Sequence, residues 1–148
     1  MSATALCVPC QKSLRMKFNY YDSCLLTSIC SAGGENGTDL KGIIAYIDYI
    51  DHSIITWSEF FGGLLKLKRI KAVKERSKKL FPGNEITVWW LKKYQNKKRI
   101  YVLKQVEEVN DHLNETYSID LDHKKNIRIY ITESDFLKAL EDYKQLSK

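Results

Sequence analysis

The stretch HSIITWSEFFGGLLKLKRIKAV, residues 52–73, decides how the rest of the chain is read. Its Thr56-Trp57-Ser58-Glu59 is a capping box, in which a threonine oxygen and a glutamate carboxylate satisfy the free amides of a helix start. Trp57, Phe60, Phe61, Leu64 and Leu67 follow at helical spacing and form the face expected to turn inward. The outward set is Ser58, Glu59, Gly62, Gly63, Lys66 and Arg69. Next, Arg69-Ile70-Lys71-Ala72-Val73 alternates polar and apolar, as a half-buried strand does. Residues 74–78 read as a polar turn and Lys79-Leu80-Phe81 as a short return strand, so a hairpin should follow the helix directly.

Working upstream, Tyr21, Leu25 and Ile29 repeat at four, with Leu26 and Cys30 beside them, which predicts a helix with a broad buried stripe. Gly33-Gly34 should end it. Thr38 is positioned to cap a second helix, in which Leu40, Ile43, Ile44, Ile47 and Ile50 share one face. Three short helices with tight connections make a helix-turn-helix core, and the hairpin becomes its wing. The expected fold is mainly α with a small β-hairpin (α+β): a winged helix-turn-helix followed by a helical extension. The boundaries predicted are a flexible N-terminal arm over 1–15, the winged domain over 16–83, and the extension over 84–148.

Within that extension, Ile86-Thr87-Val88-Trp89-Trp90 has strand propensity. A cap at Asn84 and the following Leu91-Lys92-Lys93-Tyr94 favour a helix instead. A longer helix is expected from about Ile100 to Glu115. Its Val102, Val106, Val109 and Leu113 form a narrow seam, suited to pairing across a homodimer or to packing inside the same chain. Ile127, Ile129 and Ile131 alternate as a strand, and Thr132-Glu133-Ser134-Asp135 caps a last helix bearing Phe136, Leu140 and Tyr143.

The run from Tyr21 to Val73 resembles a family of small uncharacterised bacterial winged helix-turn-helix proteins. The matching features are the apolar first helix, Gly-Gly-Glu-Asn-Gly at 33–37, Ile-Asp-His-Ser-Ile-Ile-Thr at 50–56, the capped Trp-Ser-Glu-Phe helix and the strand near 70–73. The tail from Ile131 to Tyr143 is similar to the closing helix of that group. One departure is Leu67-Lys68-Arg69, where the family usually has a Gly-rich turn. The resemblance implies the fold and carries little about function, because winged helices serve many ends.

Charge supplies the functional expectation. The chain of 148 residues has a net charge of +6, and the excess is concentrated in its middle. From Lys66 to Lys104 fourteen lysines and arginines are opposed only by Glu75 and Glu85, while both flanks are acidic. A basic middle points to an anionic partner, with a solvated lysine face as the alternative. The expected phosphate contacts are Lys66, Arg69, Lys71, Lys74, Arg76, Lys78 and Lys79, with Ser58 and Gly62 facing a DNA groove. Base edges are read mainly by Arg, Lys, Asn or Gln. The first half of the capped helix has none of these, so contact with double-stranded DNA should depend on phosphates rather than sequence.

The rival expectation is a protein–protein module, homodimeric or with another partner. It rests on Tyr46 and Tyr49 away from the isoleucine stripe and on Trp89 and Trp90 on opposite sides of their helix.

Catalysis has the least support. Asp48, Asp51 and His52 share one helical side and could hold a metal, but they read more simply as a helix end. Cys7-Val8-Pro9-Cys10 has the gap of a zinc half-site without a second half. Met16-Lys17-Phe18 offers an alternative start that would leave that pair without native meaning. No enzyme activity, cofactor or metal is therefore expected. No apolar run approaches the roughly 18 residues that span a bilayer and no signal-peptide pattern opens the chain, so no membrane association and a cytoplasmic location are expected.

Overall fold

The computed structural model describes residues 15–32, 36–97, 100–117, 119–120 and 127–146. The CVPC pair, Gly33-Gly34, Lys98-Arg99 and His123 lie outside them. The described residues form six helices and two small antiparallel pairs.

Strand β1 (Arg15–Met16) leads into α1 (Tyr20–Ala32). Asn19 and Asp22 cap each other reciprocally: the Asn19 N–H donates to Asp22 Oδ2 (2.8 Å) and the Asp22 N–H to Asn19 Oδ1 (2.9 Å). All residues from Asp22 to Ile29 are buried, so α1 is the central helix. Helix α2 (Leu40–Asp51) buries the predicted isoleucine stripe. Its cap is Asp39, which accepts from the Gly42 N–H, and Thr38 is instead paired with Leu80 in both directions at 2.8 and 2.9 Å. Helix α3 (Trp57–Arg69) opens on the expected capping box.

Where the sequence predicts a strand over 69–73, α3 continues to Arg69 and turns through Ile70 and Lys71, the latter at φ +62°. Strand β2 (Val73–Arg76) pairs with β3 (Lys79–Pro82) in the register Val73↔Pro82 to Arg76↔Lys79. Ser77 and Lys78 both have positive φ, which is the primed turn whose twist matches a tight hairpin. The turn is thus two residues long, shorter than the polar run 74–78 suggests. Gly83 follows because a Cβ there would lie 2.0 Å from the Lys71 carbonyl oxygen.

Residues 84–94 form α4 (Asn84–Tyr94), the helical alternative. It has no side-chain cap: Asn84 Oδ1 accepts from Lys74 Nζ (2.9 Å). In α5 (Val102–Thr116) the seam turns onto α1, with Val106, Val109 and Leu113 buried in the chain's own core and Val102 half-buried against it. The homodimer use of this seam is therefore corrected to internal packing. Burying those three side chains contributes roughly 1.5–3 kcal/mol each. Beside them, Asn110 Nδ2 donates to Ser23 Oγ (2.9 Å) and Asn114 Oδ1 accepts from the Phe18 N–H (2.8 Å), fixing the entry to α1. Backbone pairing of β1 with β4 (Ile119–Asp120) closes the same end.

Residues 127–130 form no strand. Helix α6 (Glu133–Leu146) lies along α2 and inserts Phe136 against Trp57 and Phe60, at ring-centroid separations of 5.7 and 5.3 Å. Phe136 and Ile131 belong to the same buried cluster as α1–α3, so the expected extension is part of one core.

Two side chains yield stability predictions. Lys66 forms a buried ion pair with Asp22. Removing one partner of such a pair strands the other charge, whereas replacing both is tolerated. Lys66→Met is expected to cost about 3 kcal/mol in urea unfolding, and Asp22→Asn with Lys66→Met to recover at least half of it.

His112 stacks on Trp89 at 4.2 Å and an interplanar angle of 9°. Burial holds its pKa below the ordinary value, Lys93 adds to that shift and Glu115 opposes it. A histidine less basic when folded stabilises fully above about pH 6.5, and that share is lost as pH falls below it, where the unfolded chain binds the proton first. The melting temperature should therefore drop between about pH 7.5 and 5.5, and His112→Gln should flatten the drop.

Candidate nucleic-acid interface

Helix α3, the turn after it and the hairpin carry every residue expected to meet DNA, but the fold sorts them into different environments. Ser58 is exposed two residues after the Thr56 cap, and a Cβ at Gly62 would meet nothing within 4 Å. Phe61, expected in the core, is exposed beside them, with its ring 5.2 Å from Trp57. This open part of α3 carries no cation.

Lys66, expected to face outward, is only 7% exposed. The correction has a local cause. Gly63 is buried against α1, where a Cβ would come within 2.8 Å of Asp22 Oδ1, so the glycine side of α3 approaches α1 and carries Lys66 to Asp22. Arg69 is half-buried and its Nε is buried without a hydrogen-bond partner.

The hairpin has two faces, set by strand alternation. Its inner face carries Val73, Glu75 and Leu80. The Glu75 carboxylate, with a side chain 1% exposed, accepts from Lys68 Nζ (2.8 Å), the Tyr130 N–H (3.0 Å) and the Ile131 N–H (2.7 Å). Lys68 also donates to the Arg128 carbonyl and lies 5.8 Å from the Tyr130 ring. Segment 128–131 is thus tied to the C-terminal end of α3 and the inner hairpin face. At the turn, Lys78 pairs with Asp135 (2.9 Å). The Thr132 N–H and Lys78 hold that carboxyl down to about 2.

The outer face carries Lys74, Arg76, Lys79 and Phe81. Arg76 stands directly across from Lys79 and stacks over Phe81 at 4.7 Å. Lys71 is exposed at the base of the hairpin. Among the described residues none of Lys71, Lys74, Arg76 and Lys79 pairs with a carboxylate. Like charges directly opposite across a ladder repel, and an anion bridging them removes that cost. Chemically, this face can neutralise phosphates.

The acidic residues near His52 are engaged elsewhere. Asp48 accepts from the Tyr143 hydroxyl, Asp51 from Ser53 and Tyr21, and His52 ends α2 in the left-handed region. No group of three metal-capable side chains occurs among the described residues, and none of their helices is long and apolar enough to cross a membrane.

Glu75 and Asp22 had readable signals: a lone acid inside a basic run, and an acid at the start of a buried helix. Phe136 had only its helical spacing. No protein-family model, curated protein or solved structure matches the chain.

Hydrogen bonds to a charged group contribute about 1.5–3 kcal/mol, so Glu75→Gln should speed amide exchange at Tyr130 and Ile131 by about tenfold or more. Unchanged exchange at both would remove Glu75 as the anchor of this segment.

Proposed function

We propose that this chain is a winged helix-turn-helix protein that associates with double-stranded DNA through the phosphate backbone, using the outer face of the hairpin. The element order supports the winged-helix reading: a helix, an extended Thr38 paired to the hairpin, two further helices, then the hairpin itself. The family resemblance of residues 21–73 points the same way.

The observation that carries the DNA reading is the cluster Lys71, Lys74, Arg76 and Lys79, which pair with no carboxylate among the described residues, with Arg76 and Lys79 cross-strand neighbours. Base readout has no comparable support. The open part of α3 offers only Ser58 and Gly62, and segment 128–131 lies against its other end. Binding is therefore insensitive to sequence, and a regulatory role would operate through occupancy of DNA in the cytoplasm. The homodimer alternative has lost its seam to the core.

Each neutralised phosphate contributes about 0.9 to the slope of log affinity against log salt. On a random-sequence duplex, Lys74→Gln, Arg76→Gln and Lys79→Gln together should lower that slope by about 2–3, with the melting temperature unchanged. Affinity indifferent to salt, or to this triple change, would overturn the proposal.

A further inference from the structure

A groove of about 600 Å³ lies between the outer hairpin face and α4. That volume falls within the roughly 300–1,000 Å³ of small-molecule sites. Its walls are mostly apolar, with Phe81 and Pro82 from β3 and Trp90 and Leu91 from α4. Trp90 is set by an edge contact with Tyr94 at 4.6 Å. Cys30 of α1 also lines the groove, and burial pushes its thiol up to about 12, so it presents a neutral wall.

Among the described residues, charge enters the groove from β2. Lys74 and Arg76 both line it; among the described residues Lys74 bonds the neutral Asn84 amide and Arg76 stacks on Phe81, with no carboxylate on either. Glu75 also lines the groove, but its side chain is 1% exposed and its carboxylate is engaged on the opposite face by Lys68, Tyr130 and Ile131. Among the described residues the groove is therefore an apolar, aromatic-walled cleft with two cations and no carboxylate free to answer them.

We propose that this groove binds a small organic carboxylate whose apolar body lies against Phe81, Trp90 and Leu91 while its anionic head meets Lys74 and Arg76. Inorganic phosphate satisfies the cations but leaves the walls unfilled, and a neutral hydrophobe fills the walls but leaves the cations unanswered. Flat aromatic and linear aliphatic acids share the required chemistry. An occupant would neutralise two of the cations assigned to DNA, so on that reading ligand and duplex compete. The groove itself does not depend on that reading, because its test contains no nucleic acid.

The probes are naphthalene-2-carboxylate, decanoate, 2-naphthalenemethanol and inorganic phosphate, titrated into the full chain. The readouts are calorimetry and the indole N–H resonance of Trp90. At least one of the two acids should saturate with a Kd on the order of 0.1 mM and shift Trp90, and the better one identifies the body shape. The alcohol should bind about tenfold more weakly, and phosphate should leave Trp90 unmoved. Lys74→Gln with Arg76→Gln, both at exposed positions, should weaken the acid about tenfold at an unchanged melting temperature and leave the alcohol unaffected. The proposal is overturned by the absence of saturation with both acids up to about 2 mM. It is equally overturned by equal affinity for acid and alcohol, a Trp90 shift with phosphate, or no effect of the double variant.

Discussion

Everything in this molecule is arranged around a helix with no solvent face along most of its length. From Asp22 to Ile29, α1 is buried, although Asp22, Ser23, Thr27 and Ser28 are polar. Buried polar groups without partners cost about 1–3 kcal/mol each, so each needs an answer. Thr27 and Ser28 bond back to the carbonyls of Ser23 and Leu25 on their own helix. Ser23 receives Asn110 from α5, and Asp22 receives Lys66 from α3. Satisfying α1 thus sets where the neighbouring helices sit, and the hairpin inherits its position from α3.

That position divides the basic residues by role. Cations that land near an acid become structural: Lys66 with Asp22, Lys68 with Glu75, Lys78 with Asp135. On the outer hairpin face, among the described residues, Arg76 meets an aromatic ring and Lys74 a neutral amide, and no carboxylate pairs with either. The outer hairpin face thereby gathers Lys74, Arg76 and Lys79 on one side of the ladder. The same alternation that buries Glu75 leaves Lys74 and Arg76 beside the apolar groove against α4.

Some of the site was legible and some was not, for reasons particular to each residue. Lys74, Arg76 and Lys79 are exposed as expected, because a short polar hairpin has little alternative. Helical spacing turns Lys66 outward together with Gly63, yet Gly63 lets α1 approach and so brings Lys66 to Asp22. The valine seam of α5 was readable as apolar, yet a seam cannot state whether its partner is a second copy or the same chain. Ile127 and Ile129 alternate like a strand but find no edge to pair with, and Glu75 engages the amides of Tyr130 and Ile131.

By itself the sequence determined the helices, the box at Thr56, a hairpin after α3, and a surplus of positive charge in the middle. These are local matters, set by spacing, capping and composition within a few residues. Only the tertiary structure decided which charges remain free. Ion pairing depends on distances between segments far apart in the chain, and no local pattern records that Asp22 lies under Lys66 or that Asp135 reaches the turn at Lys78.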